Sequence, residues 1–186
     1  MSLNLRYKIM KAHRIFTLEE YNPIWNKEYE KRALLLKSVF GDEIIRIEHI
    51  GSTSIPNMVA KPQIDIQIEV KDLNKIKNFY KKMEEKGFIA KGDYSKINEE
   101  YFIEDDKYGK RLSSIHIFQI GNPEFSNHMD FRDYLISHKF DKNLYIKLKR
   151  NLYTKYKDNY ALYDNGKSEF IKDIFKKVKR WKEKKI

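Results

Sequence analysis

Between Arg46 and Val70, RIEHIGSTSIPNMVAKPQIDIQIEV sets a glycine, three hydroxyls and an acid at spacings that suit anion chemistry. Glu48-His49-Ile50-Gly51-Ser52 reads as a strand broken at a glycine, where backbone can turn sharply and approach a ligand closely. Ser52, Thr53 and Ser54 then offer hydroxyls and backbone N–H groups, and a helix beginning there would seat a phosphate at its N-terminus. Twelve residues separate Ser52 from Asp65, which lies within a second strand. There Ile64, Ile66, Ile68 and Val70 alternate with Gln63, Asp65, Gln67 and Glu69. A period of two turns the aliphatics to the core and sets Asp65 beside Gln67 on the other face.

The elements that must hold these groups follow from local pattern. Residues 1–17 read as a lead-in. Asn22 as N-cap and Pro23 at the first helical position open a helix whose apolar stripe is Trp25, Tyr29, Leu34, Leu35 and Phe40, stopped by Gly41. Asp72 can cap a second helix carrying Leu73, Ile76, Tyr80 and Met83. Phe88–Ala90, Tyr101–Ile103 and Arg111–Ile120 read as strands, the last alternating Ile115 and Ile117 with Ser114, His116 and Phe118. Matching alternation in QIDIQIEV and SSIHIFQI predicts Asp65 and His116 on neighbouring strands, on one face, in a cleft with Gly51 and Ser52. Beyond Pro123 the period becomes helical, with helices expected over 123–138, 141–156 and 159–182 and a break at Asn165-Gly166. Leu144, Leu148 and Leu152 form the expected stripe of the middle one. The chain therefore reads as a single α+β domain, a small mixed sheet flanked by helices with a helical, basic last third over 123–186.

Composition narrows the classes. With 41% hydrophobic and 14% aromatic residues, 186 residues suffice for a real core. No apolar run has the length of a membrane span, and the charged start does not read as a secretory signal. Cysteine is absent, which removes disulfides and thiolate metal sites and leaves a cytoplasmic protein as the expectation. Of the net charge of +11, residues 139–186 carry +10. Such a tail attracts nucleotides, phosphorylated metabolites or nucleic acid, or is simply a solvated helical face. No RNA-binding motif interrupts its lysines, so nucleic acid is the least favoured partner.

EHIGSTSIP followed by KPQIDI resembles the GrpB family and, more broadly, the nucleotidyltransferase superfamily, whose signature is a hydrophobic residue, Gly-Ser, a spacer and a strand with Asp-x-Asp/Glu. The resemblance extends to the Tyr21–Trp25 opening, the strand through His116, the FRDYL stretch and the last helix with Lys167 and Phe170. It implies a nucleotidyltransferase-like fold. It also implies that the Gly51-Ser52 turn holds phosphates while acids on the next strand grip Mg²⁺, or Mn²⁺, for transfer of a nucleotidyl group from NTP to a small acceptor. Carboxylates suit that role because Mg²⁺ is a hard cation that prefers oxygen ligands.

Asp65 and Gln67 take the metal positions, but Gln67 is neutral. The strand expected to supply a third acid offers Ser114 and His116, leaving Glu48 or Glu69 to compensate. Two readings therefore stand: a nucleotidyltransferase, or a non-catalytic binding module. Relatives fused to dephospho-CoA kinase link the second to coenzyme A synthesis. Asp65 is the leading candidate, against a strand-end Asp bonded to local backbone. His49 and His116 either face the ligand or bond strand neighbours. Lys61, before Pro62, reaches a phosphate or solvent. Arg132 suits bidentate phosphate contact, or pairs with a nearby acid. Lys149 and Lys167 match the family's helical lysines, or face water.

Overall fold

The computed structural model describes residues 16–184. All but the last two residues of the expected lead-in lie outside that range. Phe16, just inside it, is buried against Tyr160 and Tyr163. Helix α1, Ile24–Phe40, starts where expected: Asn22 Oδ1 accepts from the Ile24 N–H at 3.0 Å. Leu34, placed on its apolar stripe by sequence, is instead 69% exposed; Leu36 and Val39 are buried alongside the expected Trp25 and Phe40.

Five strands follow: β1 Ile44–Ile50, β2 Ile64–Val70, β3 Phe88–Gly92, β4 Glu99–Asp105 and β5 Arg111–Gln119. They form one mixed sheet ordered β1-β2-β5-β4-β3, with β2 and β5 parallel and the other pairs antiparallel. The segment capped by Asp72 begins as a 3₁₀ helix, Leu73–Phe79, before helix α2, Tyr80–Glu85. Alternation sorts the sheet's two faces. Ile64, Ile66, Ile68, Ile115, Ile117 and Phe102 pack against Trp25, Leu36, Val39 and Phe40 of α1 and against Ile76 and Met83. The opposite face carries Asp65, Gln67, Ser114 and His116, with Asp65 paired to Ser114 and Gln67 to His116.

Four helices build on that second face: α3 Pro123–Ser137, α4 Lys139–Tyr156, α5 Tyr160–Asn165 and α6 Ser168–Glu183. The break expected at Asn165-Gly166 separates α5 from α6. Helix α3 seats on the sheet through Phe125, whose carbonyl accepts from Gln67 and whose ring lies under the Arg46 guanidinium. In α4 the buried row is Asp141, Tyr145 and Lys149, while Leu144 is 41% exposed. The segment between β1 and β2 is clamped to the helices, because Ile55 and Met58 share a buried cluster with Tyr134, Leu135, Tyr145, Ile174 and Val178. An α+β architecture with a helical last third is what the strand and helix periods predicted.

Candidate functional site

At the end of β1 the chain turns at Gly51, with φ +71°. A side chain there would be doubly penalised. The backbone lies in the left-handed region, and an added Cβ would sit 3.0 Å from Asp65 Cβ and run into its carboxylate. Glycine thus allows the turn to close directly over Asp65, the register partner of Ile50. The helix expected at Ser52 is a single 3₁₀ turn, Ser52–Ser54. Too short to present an array of N–H groups and a macrodipole, it cannot attract an anion as a full helix does. Ser54 Oγ donates to the Gly51 carbonyl (2.6 Å) and Thr53 Oγ1 to the Gln63 carbonyl (3.2 Å), so two of the three hydroxyls hold the turn itself. Ser52 is the one aimed elsewhere.

Its partner is Lys149, whose Nζ donates to Ser52 Oγ (2.5 Å) and to the Val59 carbonyl (2.7 Å). Lys149 is 2% exposed, lies over the Tyr145 ring and, among the described residues, bonds no carboxylate. Burial, reinforced by the charges of Lys167 and Lys61, pushes its amine well below the usual lysine range, with Asp65 pulling the other way. Lys61 donates to the Tyr160 hydroxyl (2.6 Å) and Lys167 to Asp164 (2.8 Å). Burial alone would lower Lys167, but Tyr145, Asp164 and Tyr163 outweigh it and the amine ends up raised.

These groups line one cavity of about 470 Å³ between the sheet face and α3–α6. Gly51, Ser52, Asp65 and His116 all face it, as the strand alternation predicted, together with Thr53, Lys61, Lys149 and Lys167. Asp65 Oδ1 accepts from Gln63 (2.6 Å), while Oδ2 points at the Gly51 turn.

Five candidate residues lie elsewhere. Gln67 has no exposed surface; its Nε2 donates to the Phe125 carbonyl and its Oε1 accepts from His128, so it fastens α3 to the sheet. Arg132 pairs with Glu48 (3.0 Å) and Asp133 (2.7 Å) and donates to the His49 carbonyl, outside the cavity. Glu48 is thereby committed. His49 falls on the α1 side of the sheet, stacked on Tyr29, and donates to Thr53 because the Thr53 proton serves Gln63. Burial, helped by Arg132, lowers His49 to about 4. Glu69, the other possible compensating acid, is buried and paired with Arg46.

A two-ion centre therefore does not fit the residues present. Among the described residues Asp65 is the one sheet carboxylate lining the cavity, while Glu124 and Asp164 line it from the helices. Among the described residues no group of three or more His, Asp or Glu side chains is placed to hold a metal ion.

Comparison with known proteins decides the family. The profile of the GrpB protein family matches residues 16–177. The chain belongs to the GrpB family. Among its relatives is UPF0157 protein YqkA of Bacillus subtilis, 40% identical over 162 residues that make up 87% of this chain and 47% of YqkA. The chain thus spans about half the length of that relative. The crystal structure of conserved protein GrpB from Enterococcus faecalis superposes with a TM-score of 0.84 at 32% identity, covering 89% of this chain and 99% of that one. Dephospho-CoA kinase of Mycobacterium leprae is 24% identical over 86% of this chain and 45% of its own.

In this GrpB chain the structure also brings in residues that the sequence did not single out. His128 on α3 and Tyr101 on β4 line the cavity, as do Tyr145, Tyr160 and Tyr163. The one sequence signal for the helical wall was the four-residue spacing of Asp141, Tyr145 and Lys149, which puts two charged groups and a tyrosine on one buried helix face.

Proposed function

We propose that the cavity is a binding site for a phosphorylated small molecule, a nucleotide or related phosphometabolite, and that it works without a two-metal nucleotidyl-transfer centre. The observation that carries this reading is Lys149: a buried amine that among the described residues bonds only neutral oxygens, beside Ser52 and the Gly51 turn and near two further lysines. An ammonium left without an anion in such a place is costly to maintain, and a phosphate brought to Ser52 would supply the missing charge.

Asp65 sets a condition on that phosphate, since its carboxylate would repel an anion seated at the turn. Asp65 would hold one Mg²⁺ or Mn²⁺, whose charge would offset that repulsion, since Mg²⁺ commonly binds through one carboxylate plus phosphates. The nucleotidyltransferase reading draws on the same Asp65 and turn, but it needs further acids, and Gln67 and Glu48 are engaged elsewhere. Similarity to part of a dephospho-CoA kinase favours service beside a coenzyme A enzyme, and a sequence without cysteine suits a cytoplasmic setting. No described helix is long and apolar enough to cross a membrane. Several tail lysines are paired within the chain, Lys172 with Glu169, Lys176 with Asp173 and Lys177 with Asp141, which weakens the case for a nucleic-acid face.

The test is calorimetric titration with tripolyphosphate, ATP and coenzyme A precursors, in EDTA and in Mg²⁺. Asp65→Asn should tighten ATP binding in EDTA, where repulsion is removed, and weaken it in Mg²⁺, where a ligand is lost. No binding of any phosphate under either condition would end the proposal.

A further inference from the structure

His116 and His128 stand on the same cavity wall, their ring centroids 5.9 Å apart. The proton positions on His128 follow by deduction. A carbonyl can only accept, so the Gln67 atom 2.9 Å from the Phe125 carbonyl is the amide nitrogen, and Gln67 Oε1 must face His128 Nδ1 at 3.2 Å. That nitrogen therefore carries the hydrogen. Burial, reinforced by His116, lowers His128 to about 4, so at neutral pH its Nε2 is a bare acceptor.

His116 is fixed in the same way. Its Nδ1 lies 2.6 Å from Glu99, whose side chain has no exposed surface. Burial alone would raise the Glu99 carboxyl, but the bond to His116 and the Ser95 N–H hold it below the usual range, so it accepts. Among the described residues neither Nε2 has a hydrogen-bond partner. Two fully buried acceptors thus orient two imidazoles whose remaining nitrogens are left for the cavity. Glu124, one helical turn before His128, adds a carboxylate to the same wall. The bare Nε2 of His128 and the Glu124 carboxylate make this an acceptor-bearing end of the cavity, whereas the Ser52 end is rich in cations.

We infer that His116 and His128 read the hydroxyl groups of the ligand, which makes a phosphorylated polyol its class: a sugar phosphate, or the ribose of a nucleotide. The inference rests on the phosphate-site reading above. The spacing agrees with it. His116 lies one strand across and two residues along from Asp65, about 8 Å away, roughly the span from a phosphate to the hydroxyls of an attached five- or six-carbon unit.

Calorimetry with matched pairs tests it: sorbitol 6-phosphate against hexyl phosphate, and AMP against 2′,3′-dideoxy-AMP, with tripolyphosphate as a probe of the cationic end alone. Wild type should prefer the hydroxylated member of each pair about tenfold or more, as expected for hydrogen bonds to well-oriented imidazoles. His128→Phe and His116→Phe should abolish the preference while leaving tripolyphosphate affinity unchanged. His128→Asn, which keeps a polar group, serves if the phenylalanine variant melts early. Equal binding within the pairs, or a preference that survives both histidine changes, overturns the inference while leaving the phosphate site standing. Loss of tripolyphosphate binding in wild type fells both. Stoichiometric Zn²⁺ binding that disappears in either histidine variant also overturns it, because the two nitrogens would then be a metal seat.

Discussion

Lys149→Met removes the buried amine and keeps the length and shape of its stem. Two effects compete. The amine's hydrogen bonds to Ser52 and Val59 are lost, at about 1 kcal/mol each, so the variant should be less stable by about 2 kcal/mol where the amine is neutral. Against this, wild type must fold with an amine whose pKa burial has depressed. The unfolded chain then binds more protons than the folded one, so stability rises with pH. The rise runs from the depressed folded pKa up to the ordinary lysine value near ~10.4, at up to about 1.4 kcal/mol per pH unit. The methionine variant lacks this slope, and groups not coupled to Lys149 cancel in the comparison. Urea denaturation of both proteins between pH 7.5 and 10 should show the stability of wild type relative to the variant climbing with pH. A saturating polyanion should flatten the climb by keeping the amine charged, with proton uptake visible as a buffer-dependent heat. A wild-type advantage that does not change with pH would refute the claim that Lys149 is a buried amine awaiting an anion.

Gly51→Ala should destabilise the fold by at least about 1–2 kcal/mol from the left-handed backbone alone, with more from the clash with Asp65, and should weaken tripolyphosphate binding in calorimetry. Gln67→Glu, which the nucleotidyltransferase signature suggests would restore a metal ligand, should instead lower stability in urea denaturation by about 1–3 kcal/mol or more. It sets a buried carboxylate against the Phe125 carbonyl, and it should not raise Mg²⁺ affinity. Arg132→Ala should lower the melting temperature, because Glu48 loses its partner and the His49 carbonyl a donor. It should leave phosphate affinity within about twofold of wild type, since Arg132 stands outside the cavity.

Strand alternation was enough to place Asp65, Ser114 and His116 on one face beside Gly51 and Ser52, because side chains on a strand have only two directions to take. The same rule separates His49 from Glu48, and applied strictly it would have put His49 on the α1 side. Gln67 does share the face of Asp65, but no sequence pattern announced that Phe125 would cover it. Arg132 was legible as an ion-pairing residue, and the acid it takes across the fold is Glu48, 84 residues away. Lys149 was hardest to read. Its burial depends on the 52–63 segment docking against α4, a contact that joins distant parts of the chain through Val59 and Ser52. His128 was not legible as a site residue for the same reason, since its oriented proton depends on a glutamine 61 residues earlier.

The central claim is that this cavity holds a phosphorylated ligand and does not carry a two-metal transfer centre. Its most direct test is to incubate the wild-type protein with each of the four NTPs, Mg²⁺ or Mn²⁺ and a panel of small hydroxylated acceptors. Pyrophosphate release and bound-metal stoichiometry are then measured on the same samples. The account predicts nucleotide binding with at most one divalent ion per chain and no release above the protein-free rate. Sustained release that requires metal, vanishes in Asp65→Asn and accompanies two bound ions would contradict it.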